Sequence, residues 1–416
     1  MKTAKLKTIL LIAFGGLIGF AIAEYAKEGA GQALAMQAQT KPEISPTEPF
    51  PDRELYYPGT EPLGADEIRM VALGTGMPLA RRAQAATSWL VELGNGDKFL
   101  FDVGTGSQAN FTAQMIPFDF VTKVILSHLH TDHWGDLPSL WAGGWTAGRT
   151  VPLEIWGPNG VTEDMGTKYA VEHFLKCYNW DNMTRLANLP SIPGKIVVHE
   201  FDYKGENEVI YEQNGVTIRS WPAIHAGDGP VSFALYWNGL KIVIGGDTMP
   251  NTWYLKYALN ADVAIHEAFL TPQQLVSLYN QAPRTALGVA TVVHTTPQAF
   301  GKVMSTVKPR HAIAYHFFNE PDTLPDMLAY VRQTYDGPLT MARDNLVWNI
   351  TKDEIRVRSS VSADEAWSVR GPNKLQPPDH TVPKQLSKWL LQHRWNEIDS
   401  VQADMINEFK KKYGLK

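Results

Sequence analysis

Cys177 is the only cysteine among 416 residues, so the chain has no intrachain disulfide and no Cys-x-x-Cys metal or redox motif. The thiol reads as a small apolar side chain buried in the core. Basic excess is also missing. Lys and Arg number 38 against 43 Asp and Glu, for a net charge of −5 and a pI near 6.2, which disfavours a long nucleic acid as partner because phosphates are gripped by clustered positive charge. The apolar run at 9–23 falls short of the roughly 20 residues of a spanning helix, and it contains Gly15, Gly16 and Gly19. The glycine-rich stretch Asp102-Val103-Gly104-Thr105-Gly106 lacks the G-x-G-x-x-G spacing of a dinucleotide site.

With 44% hydrophobic and 11% aromatic residues, the chain is globular and long enough for one large domain or two small ones. Lys2, Lys5 and Lys7 precede the apolar run, and Ala21-Ile22-Ala23 follows it, the pattern of a signal peptide over 1–23. The expectation is export, most simply to the periplasm. The alternative is an uncleaved anchor, the one route by which a membrane enters. Residues 24–64 hold Pro42, Pro46, Pro49, Pro51, Pro58 and Pro62 and read as an extended lead-in.

Strands are expected at 67–73, 88–93 and 98–102, the last two joined by hairpin chemistry at Gly94-Asn95-Gly96. Further strands are expected at 121–126, 152–160, 195–198, 216–221, 231–237, 240–244, 261–265 and 312–315. Helices are expected at 161–190, 272–281 and 296–307. Two strand-rich halves, each completed by helices, imply an α/β sandwich with loops gathered at a shared sheet edge. The folded body is expected to span 65–358, with 161–190 as a helical insertion. Beyond it, 359–416 is an irregular linker and an amphipathic tail helix. The tail's stripe of Leu386, Trp389, Leu390, Ile398, Val401, Met405 and Phe409 is expected to pack on its own domain, with a homodimer contact as the alternative.

The densest chemistry is Ser127-His128-Leu129-His130-Thr131-Asp132-His133-Trp134-Gly135-Asp136. His128 and His130 turn to one side of an extended segment, whereas Asp132 and His133 sit where the chain tightens toward a helix from Leu137. One loop thereby presents two ligand pairs to two adjacent ions. Distant strand ends supply more polar side chains: His225 after 216–221, Asp247 after 240–244 and His316 after 312–315. Loops at strand ends are where a built site needs them.

On these residues the chain resembles the metallo-β-lactamase superfamily, in the branch of ribonuclease Z and related arylsulfatases. The resemblance spans about 67–320 and adds Leu73-Gly74-Thr75-Gly76, Phe101-Asp102-Val103-Gly104, Gly246-Asp247-Thr248, His266-Glu267-Ala268 and His294-Thr295-Thr296. It implies a four-layer αβ/βα sandwich. It further implies that His128, His130 and His225 hold one metal, that Asp132, His133 and His316 hold another, and that Asp247 bridges them. Imidazole and carboxylate suit two zinc ions, and manganese or iron fits the same donors. A hydroxide shared by the ions is then the nucleophile, so no Ser or Cys is required. The resemblance also implies a catalytic set of Asp132, His266, Glu267 and His294: His266 donates a proton to the leaving group, Glu267 orients it, and His294 supports it. Asp102 supports the metal loop, and His173, His199, His311, His380 and His393 are structural or exposed.

The expected activity is metal-dependent hydrolysis of a small ester-like substrate, whether a sulfate ester, a phosphodiester, or a carboxylic ester or lactone. RNA phosphodiester cleavage is the alternative. It is disfavoured because Lys168, Lys176, Arg185 and Lys195 in the insertion are balanced by Glu163, Asp164, Glu172 and Asp181, and Phe317-Phe318-Asn319 stands where ribonuclease Z usually carries a serine-and-arginine segment. A non-catalytic metal-binding module is a further alternative. Trp134, Trp141, Trp145, Tyr178 and Trp180 are expected to offer an apolar wall to the substrate, and Arg81 and Arg82 are candidates to meet an anionic group.

Overall fold

β1 (Leu55–Tyr56), β2 (Ile68–Gly74), β3 (Ser88–Leu93), β4 (Lys98–Phe101), β5 (Lys123–Ile125), β6 (Leu153–Pro158) and β7 (Ile196–Phe201) build one sheet. The chain then crosses to a second sheet of β8 (Glu208–Gln213), β9 (Val216–Pro222), β10 (Val231–Trp237), β11 (Leu240–Ile244), β12 (Val263–Glu267), β13 (His311–Tyr315) and β14 (Leu339–Met341). β15 (Leu346–Ile350) and β16 (Ile355–Ser360) return to the first, giving the orders β1-β16-β15-β2-β3-β4-β5-β6-β7 and β14-β13-β12-β11-β10-β9-β8. The computed structural model describes residues 55–372, 376–379 and 386–415. The expected signal segment, most of the lead-in and His380 lie outside them. Among the described residues no helix is long and apolar enough to cross a membrane.

Side-chain alternation along the strands explains the layering. Met70, Trp89, Val91, Phe99 and Phe101 face Phe233, Leu235, Ile242, Ile265 and Ile313 between the sheets. The opposite residues of the first sheet, Val71, Leu90, Leu100, Val124 and Ile155, pack against Phe111, Trp141 and Trp145 from helices. Those of the second, Val243, Ala264 and Ala312, meet Phe300, Met304 and Met327. Three stacked apolar clusters make four layers, the sandwich expected. Each fully buried Leu, Ile, Val or Phe contributes about 1.5–3 kcal/mol.

Parallel pairing places the site. β4 and β5 run parallel (Leu100↔Val124), as do β11, β12 and β13 (Ile244↔Ile265, Ile265↔Ile313). Their carboxyl ends therefore lie at a common edge within each sheet, and the loops after β5, β11 and β13 carry His128–His133, Asp247 and His316.

Several expectations need correction. The lead-in does not extend to 64, because Leu55 and Tyr56 already pair with Ser359 and Ser360 of β16, and buried Tyr56 takes a hydrogen bond from Arg69 at 3.1 Å. Cys177 is exposed: it ends the helix Thr167–Cys177, whose packed stripe is Val171, Phe174 and Leu175. The tail helix Ile398–Tyr413 does not bury its stripe, since Val401 is 77% and Met405 61% exposed. β8 and the closing strands β14, β15 and β16 were not anticipated: β8 was legible in the Asn214-Gly215 turn that joins it to β9, whereas β15 and β16 are joined by Thr351–Glu354 with no glycine.

Candidate active site

Asp102 ends β4 with φ 58, a left-handed conformation that a non-glycine residue adopts only when its surroundings hold it. Its carboxylate accepts from Ser127 N–H at 2.8 Å, from Ser127 Oγ at 2.7 Å and from His133 Nδ1 at 2.7 Å. That fixes the His133 tautomer and aims Nε2 inward. Glycine is required nearby: a Cβ on Gly104 would lie 2.1 Å from the Asp132 carbonyl oxygen. His316 also has positive φ, 66, and is anchored by its N–H donating to Thr75 O at 2.9 Å.

His225 donates from Nδ1 to Val293 O at 3.0 Å. The acceptor belongs to a π turn, Val289–Val293, that ends at His294; such wide turns recur at functional sites. His225 Nε2 is left 3.2 Å from His130 Nδ1, which is itself 3.1 Å from His128 Nε2. Three imidazole nitrogens at this spacing repel through their lone pairs unless a cation or proton sits among them.

Beside a smaller group of His225, Glu267 and His294, the expected ligands supply two sets of donor atoms, each lying within 4.8 Å: His128, His130, His225 and Asp247, then Asp132, His133, Asp247 and His316. Asp247 belongs to both. Among the described residues, buried atoms Asp132 Oδ1, His133 Nε2 and Asp247 Oδ1 have no hydrogen-bond partner, although His133 Nε2 lies 3.3 Å from Asp247 Oδ1 and His316 Nε2 3.1 Å from Asp247 Oδ2. Orphaned carboxylate and imidazole atoms converging in a buried site fit a divalent cation. The structure thus brings together all seven residues expected as ligands.

Electrostatics agree with the donor set. Burial, reinforced by His133, His225 and His130, holds the His128 pKa well below the ordinary range, and burial and His225 lower that of His130, keeping both imidazoles neutral and available as ligands. Burial opposes ionisation of Asp247, yet His316 and His133 hold its carboxyl well below the usual range. Burial likewise works against charging His133, and Asp247, Asp102 and Asp132 overcome it and raise its pKa well above normal. That surplus of negative charge is what metal cations would neutralise.

The expected proton donor is not at the site. His266 is fully buried, its ring 4.6 Å from that of Tyr254, and its Nδ1 donates to its neighbour's carbonyl, Glu267 O, at 2.8 Å. His294, expected to support His266, instead lines the cavity and takes the carboxylate expected to orient His266: Nδ1 lies 2.8 Å from Glu267 Oε2, and Phe269 stacks on the ring at 4.0 Å. Although burial lowers its affinity for a proton, Glu267 outweighs this and raises the His294 pKa.

A cavity of about 500 Å³ opens in front of Asp132, Asp247, His294 and His316, walled by Met77, Leu79, Phe269, Leu275, Tyr279 and Phe318. Among the described residues neither Lys nor Arg lines it. The aromatic wall expected from the insertion is absent. Trp141 and Trp145 are core residues donating to Gly194 O and Pro190 O, both at 2.8 Å, Trp134 and Tyr178 pack against the same core, and Trp180 is 78% exposed. Arg81 is spent on an ion pair with Glu320, and Arg82 is solvated. The actual wall follows directly after motifs visible in the sequence: Met77-Pro78-Leu79 after Gly76, Phe269 after Ala268, and Phe318 two residues after His316.

The family model described as the metallo-beta-lactamase superfamily matches residues 81–253. Ribonuclease Z of Mycobacterium sp. (strain KMS) is 31% identical over 252 residues, covering 55% of this chain and 85% of that protein. The ribonuclease Z of Mycobacterium marinum (strain ATCC BAA-535 / M) is 30% identical over 249 residues, with the same two shares. Among solved structures, the metallo-beta-lactamase fold protein YhfI from Bacillus subtilis matches with a TM-score of 0.51 at 16% identity, over 68% of this chain and 100% of that one. This last likeness is one of fold.

Proposed function

The chain belongs to the metallo-β-lactamase superfamily and is a metal-dependent hydrolase, and from that premise we propose that it cleaves a compact, largely apolar ester-like substrate with the help of two zinc ions. The observation that carries this proposal is the apolar, cation-free wall of the cavity beside the two ligand sets. A pocket of that size and lining suits a small organic ester, whether sulfate, phosphodiester, or carboxylic ester or lactone. A phosphate backbone asks for Lys and Arg instead.

His128, His130 and His225 would hold one ion, Asp132, His133 and His316 the other, with Asp247 shared. The ions, when bound, lower the pKa of water and polarise the ester. His294 then donates a proton to the departing oxygen. Its Nδ1 is occupied by Glu267, so Nε2 is the donating atom, and the raised pKa keeps the proton in place until it is needed. Because His294 lines the apolar cavity, the alcohol half of the substrate departs within it.

The ribonuclease Z relatives favour a second reading, cleavage of an RNA phosphodiester. One experiment separates the two. The zinc-loaded protein is offered a panel of aryl sulfate, bis-aryl phosphodiester, aryl ester and lactone alongside a tRNA precursor. Turnover of a panel member with intact RNA supports the proposal, and processing of the precursor alone overturns it. The proposal extends to export, supported by the pattern at 1–23 and tested by amino-terminal sequencing of the protein from a periplasmic fraction.

A further inference from the structure

Trp389, Trp395, Val401, Met405 and Phe409 are all more than half exposed. Single apolar side chains on a surface are ordinary, but a contiguous stripe marks a contact. Ile398, Val401, Met405 and Phe409 recur at intervals of three and four on the helix Ile398–Tyr413 and so share one face. Charge along the same helix is divided unequally: Glu397 and Asp399 lie at its start, Asp404 near its middle and Glu408 beyond it, and all its lysines, Lys410, Lys411 and Lys412, stand in the last turn.

That division selects the occupant of the stripe. A second copy of the helix laid parallel would set lysines against lysines and acids against acids. Laid antiparallel with Met405 level with the partner's Met405, it sets Glu397 within one residue, about 1.5 Å along the axis, of the partner's Lys412. Asp399, which already pairs with Arg394, comes level with the partner's Lys411. Each contact occurs twice, as a two-fold axis requires. We propose that this protein forms a dimer through antiparallel pairing of its tail helices. The 16-residue helix is about 24 Å long, too short alone to bury the roughly 1,200 Å² of a stable interface. Exposed Trp389 and Trp395 therefore belong to the same contact.

Light scattering on the purified full-length protein of 46.4 kDa, across a concentration series, tests the proposal. The expected result is a dimer that Val401→Asp with Met405→Asp converts to monomer without loss of turnover or helical circular dichroism beyond the tail. Glu397→Lys and Lys412→Glu should each weaken the dimer several-fold, and the two reversals combined should restore it. The proposal is overturned by a monomeric wild type, by a dimer indifferent to the Val401 and Met405 changes, or by a double reversal no tighter than either single one. A monomer that sediments with phosphatidylglycerol vesicles but not with phosphatidylcholine vesicles would assign the stripe and lysines to a lipid surface instead.

Discussion

His294 Nδ1 lies 2.8 Å from Glu267 Oε2, while His266, adjacent to Glu267 in the chain, turns into the packing beside Tyr254. The pair at the cavity is thus made by residues 27 apart. Glu267 also accepts from Thr248 N–H at 2.7 Å, next to Asp247, so one carboxylate ties His294 to the loop that carries Asp247.

His294→Ala is expected to lower turnover by about 10²–10⁴ for substrates with poor leaving groups, the usual range for a lost general acid. The loss should be much smaller for nitrophenyl esters, whose leaving group needs little protonation. Metal content should stay normal. His266→Gln, by contrast, should keep its turnover; equal losses in both variants would return the donor role to His266.

Removal of metal should abolish turnover and lower the melting temperature, since the buried carboxylates of Asp132 and Asp247 would lose their counter-charge. Dialysis against a chelator followed by elemental analysis and zinc add-back checks this. Asp247→Ala should bind less than half the wild-type metal because both ligand sets share that residue. Full metal occupancy in that variant would remove the bridging assignment.

Tyr279 stacks on Phe318 at 5.4 Å on the cavity wall. Tyr279→Ala should raise KM for an apolar ester about tenfold and leave kcat near wild type, the signature of binding lost equally from ground and transition states. A change in kcat alone would place Tyr279 in the chemistry rather than in substrate binding.

His311 stands far from this chemistry, at the start of β13, with Nε2 2.7 Å from Thr340 Oγ1. Burial lowers its pKa from 6.5 to about 4. The folded state therefore favours the neutral ring, and its contribution to stability is complete above pH 6.5 and is lost as pH falls toward 4. The whole span corresponds to at most roughly 3 kcal/mol. Urea unfolding between pH 4 and 7 should show a steeper loss on acidification for wild type than for His311→Gln. Superimposable slopes would contradict it.

How much of this was legible in the sequence differs residue by residue. His128, His130, Asp132 and His133 announce themselves because they lie in one loop, where spacing alone carries the chemistry. His225, Asp247 and His316 were readable because each follows an apolar strand, and parallel pairing brings strand ends to a common edge. The apolar wall was misplaced onto Trp141 and Trp145, since composition shows that an aromatic is present but not which layer it enters.

The sequence by itself determined the sandwich and the six residues that gather around Asp247. Only the tertiary structure decided that His294 rather than His266 lines the cavity. The physical reason is the alternation of side chains along a strand. His266 and Glu267 are neighbours on β12 and point to opposite faces, and nothing local says which face meets the cavity and which meets the helices until both sheets and their outer layers are packed.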